Sequence, residues 1–108
     1  MINKWEIYFC DLNTEETKPV VVVSNDAVNH NLPVSTVIPL SEVKSGDKIY
    51  PTEIYLSASI TGIKTHSAAI IQQIRTVPHC RLADKAGAIK DEQAREHILH
   101  ALRLYFEF

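Results

Sequence analysis

The chain has 108 residues, of which 45% are hydrophobic; this is enough apolar material for one globular core and too little for two. Lys and Arg number 11 against 13 Asp and Glu, and the formal net charge of -2 excludes a general attraction to polyanions, so any nucleic-acid site has to be a local patch. No segment approaches the roughly 20 apolar residues needed to cross a bilayer, and the N-terminus lacks the apolar stretch of an export signal.

These bounds predict a single domain over residues 1–108, located in the cytoplasm. The two cysteines, Cys10 and Cys80, have neither the spacing of a metal site nor a partner required for folding. We expect both to be buried or half-buried free thiols in a reducing compartment.

A run of four valines, residues 20–23, is the most distinctive apolar stretch. It follows Pro19 and is closed by the turn-forming residues 24–26, a pattern typical of a short strand buried on both faces. Pro19 fixes its own φ and favours extended backbone at Lys18. The sequence therefore predicts a central strand with a lysine at its entry.

Further strand patterns consist of alternating or continuous apolar residues, and they cover residues 5–11, 34–40, 52–56, 68–74 and 85–90. The polar residues 12–18 join the first of them to the valine strand, which predicts an antiparallel hairpin. Pro39 predicts an edge position or a bulge in its strand, because proline donates no ladder hydrogen bond. The remaining segments are expected to be loops or single turns, at residues 27–33, 41–51, 57–66 and 78–82.

Residues 91–106 show the pattern of one long helix. Asp91 suits the N-cap, and Glu92 suits the positive end of the helix dipole. The helix has an apolar stripe that we expect to pack on the sheet; it consists of Ala94, Ile98, Ala101, Leu102 and Tyr105. His97, His100 and Arg103 lie outside the stripe and are interpreted as a solvated face.

Five to six short strands followed by one C-terminal helix predict a mainly β, α+β fold, namely an SH3-like, partly open β-barrel capped by the helix. The three glycines are too far apart for a phosphate-binding loop, and the pair His97 and His100 has no third ligand at metal-site spacing. Neither a metal nor another cofactor is predicted.

Several segments, in their order and separation, resemble the PemK/MazF family of toxin endoribonucleases over nearly the whole chain. They are Glu6–Asn13, Lys18–Asp26, Thr36–Ser41, Pro51–Ile54, Ile71–Thr76 and Arg81–Leu82, followed by the closing helix. The resemblance implies a homodimeric cytoplasmic toxin that cuts single-stranded mRNA without a metal. It implies attack of a ribose 2′-hydroxyl on the adjacent phosphate, which leaves 2′,3′-cyclic phosphate and 5′-hydroxyl ends. It also implies a cognate antitoxin protein whose partly disordered tail covers the cleft.

The resemblance places the catalytic positions at Lys18 and Ser41, where the family has an Arg before the Pro-Val run and a Thr closing the third strand. Lysine supplies positive charge to the phosphate oxygens but lacks the bidentate fork of arginine. Serine keeps the hydroxyl and loses the methyl that restricts the threonine rotamer. These exchanges predict altered or weakened activity. The predicted RNA-binding residues are Asn13, Glu16, Arg75 and Thr76.

Two further departures bear on the substrate. The connection 13–17 is shorter than the Gly-rich loop usual in the family, and Gln72 stands where some members carry an acidic residue. The RNA sequence that is cut therefore does not carry over from the family.

Simpler interpretations stand beside these assignments. Lys18, Glu15 and Glu16 suit solvated loop charges, Ser41 suits a strand-end cap, and residues 75–76 suit a structural tie between strands. The functional alternative is a catalytically degenerate MazF-like module that binds the antitoxin, or binds DNA gyrase as CcdB toxins do. The acidic balance and the lysine at the catalytic position favour the module, whereas the retained hydroxyl favours the enzyme. Gyrase binding is disfavoured, because the chain lacks the C-terminal Trp-Gly of CcdB.

Overall fold

The valine strand lies inside an antiparallel sheet. The computed structural model describes residues 1–13 and 16–107. The described strands are β1 Glu6–Cys10, β2 Lys18–Val22, β3 Val34–Glu42, β4 Glu53–Leu56, β5 Ser67–Ile70, β6 Arg75–Pro78 and β7 Leu82–Ala88. The helices are α1 Asp26–Asn31, α2 Ala58–Thr61 and α3 Glu92–Phe106, and two 3₁₀ turns cover Ile71–Gln73 and His79–Arg81.

The strand order is β4-β5-β3-β2-β1-β7, with β6 paired to β3. Each pairing is antiparallel, and the hairpin of β1 and β2 is confirmed by the pair Ile7 and Val21. Within the described residues the end strands β4 and β7 do not pair with each other, so the barrel is open along that side. The predicted mainly β, α+β fold with a C-terminal helix is confirmed, with seven described strands in place of five or six.

The core extends over both faces of β2. Val20, Val21 and Val22 are fully buried, which confirms the prediction of a strand covered on both sides. Val21 belongs to the larger cluster, which α3 closes through Ile98; Val20 and Val22 belong to a smaller cluster with Cys10. Each buried valine contributes about 1.5 to 2 kcal/mol of hydrophobic stabilisation, so β2 is held firmly in place.

The edge position predicted for Pro39 is present locally, although β3 as a whole is an inner strand. On one side Pro39 faces Val20 of β2 in regular register. On the other side β3 pairs with β6 through residues 34–37 and with β5 through residues 40–42. Pro39 lies in the gap between these two partners, where a missing N–H leaves no ladder bond unmade.

Two predicted features of the C-terminal helix are confirmed, namely its start at Asp91 and the apolar stripe that packs on the sheet. Asp91 caps α3 by accepting a hydrogen bond from the backbone N–H of Ala94 at 2.8 Å. Ala94 and Ile98 are buried, while Tyr105 at the far end of the stripe remains half exposed. In the described residues no helix combines the length and the apolar character that crossing a membrane requires.

The second half of the sheet differs from the prediction. Residues 57–66, expected to form a loop, contain α2, and the strand expected at residues 68–74 ends at Ile70 and continues as a 3₁₀ turn. Residues 75–78 form a strand that was not predicted, and the strand expected at residues 85–90 lies at 82–88.

The two thiols also differ from each other. Cys10 is buried as expected, but Cys80 is exposed, because it lies in the 3₁₀ turn His79–Arg81 at the surface. Both are free cysteines. The interpretation of Glu15 as a solvated charge lies outside the described residues.

Candidate functional site

An open cleft of about 840 Å³ lies at the mouth of the barrel, where β2 begins and β3 ends. One wall consists of Lys18 and Pro19 from β2 with Leu40 and Ser41 from β3. The segment 62–65 between α2 and β5, together with part of β7, forms the opposite wall. The cleft has the size of an ordinary small-ligand site, and its open form suits a chain-like ligand.

Lys18 and Ser41 both line this cleft. The ladder between β2 and β3 ends at the pair Val20 and Pro39, so Lys18 lies two residues before its end on β2 and Ser41 lies two residues after it on β3. Both residues are exposed.

The charged residues that line the cleft are nearly balanced, whereas the whole chain has a net charge of -2. Three lysines line it, Lys18, Lys64 and Lys85, together with two glutamates, Glu16 and Glu42. An anionic ligand therefore meets ammonium groups at close range, although the chain as a whole is negative.

Lys85 is fixed by a neighbouring ion pair. Its Nζ lies 2.7 Å from Oε2 of Glu6, and the Tyr8 hydroxyl donates to Oε1 of the same carboxylate at 2.8 Å. Burial works to raise the pKa of Glu6, but the hydrogen bonds from Lys85, the Asn3 N–H and Tyr8 outweigh it and lower this pKa. Burial, together with the hydrogen bond to Glu6, raises the pKa of Tyr8 to about 12. The side of the cleft formed by β7 is thus anchored to β1.

Comparison with known proteins identifies the family. The family model described as PemK-like, MazF-like toxin of type II toxin-antitoxin system matches residues 3–106. The chain belongs to this family of toxins. The family predicted from the ordered sequence segments is confirmed.

Two curated relatives share close to a third of their residues with this PemK/MazF-family toxin. Endoribonuclease EndoA of Bacillus subtilis is 30% identical over 98 residues, which cover 85% of this chain and 84% of the relative. Endoribonuclease MazF9 of Mycobacterium tuberculosis is 30% identical over 118 aligned positions, which cover 99% of this chain and 98% of the relative.

Solved structures support the fold. An endoribonuclease in complex with its cognate antitoxin, from a mycobacterial species, matches with a TM-score of 0.84 at 21% identity, covering 100% of this chain and 97% of that one. MazF of Deinococcus radiodurans matches with a TM-score of 0.78 at 15% identity, covering 99% of this chain and 97% of that one. At these identities the likeness establishes the shared architecture.

Of the other residues predicted to bind RNA in this toxin, Glu16 lines the cleft with Lys18 and Ser41. Asn13 does not line it; this residue is exposed, has a left-handed backbone with φ 64, and its N–H donates to Oδ1 of Asp11 at 2.9 Å. The structure therefore separates Asn13 from the cleft lining.

Arg75 and Thr76 of β6 also lie outside the cleft lining, and they occupy opposite faces of their strand. Arg75 faces Val37, on the side of the sheet where Cys10 is buried, and its positive charge partly offsets the rise that burial causes in the Cys10 pKa. The Thr76 hydroxyl hydrogen-bonds that of Thr36 at 2.9 Å. Because Cys10 faces Lys18 across β1 and β2, Arg75 shares a sheet face with Lys18, and Thr76 does not.

Three cleft residues were missed in the sequence. Lys64 was placed in the loop 57–66 and Lys85 in the strand 85–90, and no role was predicted for Phe9. Phe9 pairs with Pro19, so its side chain lies on the opposite face of the sheet from that of Lys18, and the strand pattern did not indicate that both residues line one cleft. For Lys64 no local signal existed, since α2 was not predicted and its position depends on long-range packing. Among residues 1–13 and 16–107, no group of three or more His, Cys, Asp or Glu side chains is arranged to hold a metal ion.

Proposed function

We propose that this toxin is an endoribonuclease that cleaves single-stranded RNA without a metal ion and leaves 2′,3′-cyclic phosphate and 5′-hydroxyl ends. Lys18 stabilises the negative charge that develops on the phosphate oxygens during attack by the ribose 2′-hydroxyl. Ser41 donates a hydrogen bond to the same phosphate. Positive charge and donors placed where charge develops provide the largest part of catalysis in such phosphoryl transfers.

One observation carries the proposal. A chain of this family has an ammonium group and a hydroxyl group lining one open cleft, on two neighbouring strands held by a buried sheet. Because β2 and β3 are covered on both faces, the backbone roots of both groups are fixed, and a reacting phosphate meets them without reorganisation of the strands. The curated relatives named endoribonucleases support the same activity.

The roles proposed for the other residues predicted to bind RNA depend on whether each one lies near the cleft. Arg75 adds positive field from the sheet face that it shares with Lys18. Glu16 lies in the cleft within reach of an RNA strand bound there. RNA contacts by Asn13 and Thr76 stay predictions, since both lie outside the cleft lining.

The direct test is incubation of the purified protein with end-labelled single-stranded RNA in EDTA. We expect cleavage whose upstream products resist phosphatase until acid opens the cyclic phosphate. Replacing the 2′-hydroxyl at the cut site by hydrogen abolishes the reaction, because the nucleophile is removed. Activity that disappears in EDTA and returns with Mg²⁺ would overturn the metal-independent mechanism.

Variants test the two catalytic roles. Lys18→Ala and Ser41→Ala are each expected to lower the rate by about 10² to 10³, the usual cost of one charge-stabilising donor. Lys44→Ala is the matched control, because this exposed lysine lies outside the cleft lining. If Lys18→Ala cleaves like the wild type, the catalytic assignment is wrong. Absence of cleavage by the wild type, with an antitoxin still bound, would instead support the degenerate binding module.

The proposal includes the assembly and the place of action. The toxin forms a homodimer in the cytoplasm, where its RNA substrate is found, and a cognate antitoxin covers the cleft. A similar solved structure is described as an endoribonuclease in complex with its cognate antitoxin, which supports an antitoxin as partner. Sedimentation equilibrium should give twice the chain mass of 12.2 kDa. A mass of one chain at the concentrations that give cleavage would contradict the dimer.

A further inference from the structure

Phe9 marks the place where the barrel core opens into the cleft. Ile7 and Phe9 lie on the same face of β1, because side chains two residues apart in a strand share a face. Ile7 is fully buried, whereas 40% of Phe9 is exposed. Phe9 thus lies at the exposed end of the apolar core, and it lines the cleft together with Lys18 and Ser41 although its side chain is on the other face of the sheet from that of Lys18.

The surroundings of the ring are apolar on one side and cationic on the other. Pro19 lies directly across from Phe9 on β2, and Ile63 and Ala86 line the same cleft. Lys64 follows Ile63 on the opposite wall. Among the described residues Lys64 has no ion-pair partner, whereas Lys85 is engaged by Glu6 at 2.7 Å. The cleft thus combines an exposed aromatic surface with an uncompensated ammonium group.

We propose that Phe9 stacks on an unpaired base of the RNA and that Lys64 binds an adjacent backbone phosphate. This end of the cleft then holds a nucleotide that flanks the scissile phosphate at Lys18 and Ser41. The inference rests on the proposed endoribonuclease function and assigns it a positioning subsite. Neither group touches the reacting atoms.

General physics favours a single RNA strand as the occupant. Proteins bind single-stranded nucleic acid with aromatic side chains on which bases stack and with a cationic groove that follows the backbone. The cleft has both parts, and it is continuous with the catalytic pair. Stacking on Phe9 accepts any base, because each base has a π-face, so this subsite fixes the strand and does not select the sequence.

Binding is measured with an RNA that contains one 2′-deoxynucleotide at the cut site, so that affinity is read without cleavage. Phe9→Leu retains the apolar character and removes the aromatic face. We expect its Kd, from fluorescence anisotropy, to rise about tenfold. Phe9→Trp should restore wild-type affinity or improve it. Tyr50→Leu, an exposed aromatic outside the cleft lining, should leave the Kd unchanged.

The phosphate contact is tested by salt dependence. Lys64→Gln removes one cation, and the slope of log K against log salt concentration should flatten by about 0.7, the value for one phosphate contact to a single strand. Lys44→Gln, outside the cleft lining, should leave this slope unchanged. Phe9→Leu should raise the Kd without changing the salt slope. General unfolding of the variant would not change the Kd alone in this way.

Wild-type affinity in Phe9→Leu, or an unchanged slope in Lys64→Gln, would overturn this inference. If the wild type cleaves RNA in that case, the proposed function survives without the subsite. If the wild-type protein neither binds nor cleaves the RNA, both the subsite and the proposed function fail. Thermal unfolding of each variant should match the wild type, since Phe9 is partly exposed and Lys64 is on the surface.

Discussion

In the proposed function, the side chain at position 18 determines how a phosphate is held in the cleft. An ammonium group acts as a point charge, whereas a guanidinium group donates two parallel hydrogen bonds to two phosphate oxygens. Lys18 lies at the start of β2, with its backbone fixed by Pro19 and by pairing with Cys10. The cleft is open and the residue is exposed, so a longer side chain has room.

We therefore predict that Lys18→Arg increases the rate of RNA cleavage, by about tenfold, because one additional charge-assisted hydrogen bond contributes on the order of 1.4 kcal/mol in the transition state. The measurement is single-turnover cleavage of a labelled RNA in EDTA. Lys44→Arg provides the control. A lower rate for Lys18→Arg would show that the lysine is adapted to this cleft and that the family arginine no longer fits it.

The cluster of Glu6, Tyr8 and Lys85 gives a prediction for pH. The pKa of Glu6 is lowered in the folded protein from its ordinary value of 4.5, so its stabilising effect is present above pH 4.5 and is lost as the pH falls through the lowered pKa. Glu6→Gln should cost about 1 kcal/mol at pH 7, since Lys85 is half exposed. In urea unfolding experiments this difference from the wild type should shrink progressively below pH 4.5. A constant difference down to pH 2 would contradict it.

The raised pKa of Tyr8 gives a second prediction, for stability at alkaline pH. Its pKa is raised from 10.0 to about 12, so its stabilising effect is complete below pH 10 and is lost as the pH rises through 12. Ultraviolet titration at 295 nm should show one tyrosine ionising near pH 12, and Tyr8→Phe should remove that step. If the ionisation step near pH 12 persists in Tyr8→Phe, it belongs to another tyrosine and the assignment to Tyr8 is wrong.

At the scale of elements, the approach of β7 to α2 determines the position of the wall that carries Lys64. A Cβ atom at Gly87 would overlap the carbonyl oxygen of Thr61, which belongs to backbone and has little freedom to move. Thr61 is itself buried, and Gly62 follows it with a left-handed φ of 80 that ends α2. The absence of a side chain at Gly87 thus allows the opposite wall of the cleft to close on the sheet.

Gly87→Ala is accordingly predicted to destabilise the protein by about 2 to 3 kcal/mol, through forced displacement of α2. It should also weaken RNA binding, because Lys64 lies two residues beyond Gly62. Gly46→Ala is the comparison, since nothing lies within 4 Å of its added Cβ and the cost is limited to backbone strain at φ 89. Equal losses of free energy of unfolding in the two variants would contradict the close approach.

Elements differ in how far the sequence predicts them, and the reasons are physical. The valine strand and α3 carry their own signals, namely a continuous apolar run and a capped 3.6-residue periodicity, and both were predicted. Strand β6 has three exposed residues, Arg75, Thr76 and Pro78, and exists because β3 offers it a hydrogen-bonding edge. Helix α2 has only four residues, too few for any periodicity. The pair of Lys18 and Ser41 was predicted from family resemblance. The position of Lys64 was not predicted, because the segment 62–65 follows α2, which the sequence pattern did not show.

For the molecule as a whole, the net charge of -2 and the lysines of the cleft determine how RNA is attracted. Long-range attraction is weak, and affinity has to arise from a few contacts within the cleft. Of the three lysines that line it, Lys85 is engaged by Glu6, so about two phosphates are neutralised there, and each contributes about 0.7 to the salt slope for a single strand.

We predict that the affinity for an uncleavable single-stranded RNA falls with salt at a log-log slope of about -1.4. Anisotropy titrations between about 50 and about 300 mM salt measure it, and the triple variant that replaces Lys18, Lys64 and Lys85 by Gln should bring the slope close to zero. Replacing Lys44, Lys48 and Lys90 by Gln changes the net charge by the same amount outside the cleft lining, and it should leave the slope near the wild-type value. If both triple variants flatten the slope equally, RNA is attracted by the entire surface. If only the variant at positions 18, 64 and 85 flattens it, the electrostatic attraction comes from the cleft at the barrel mouth.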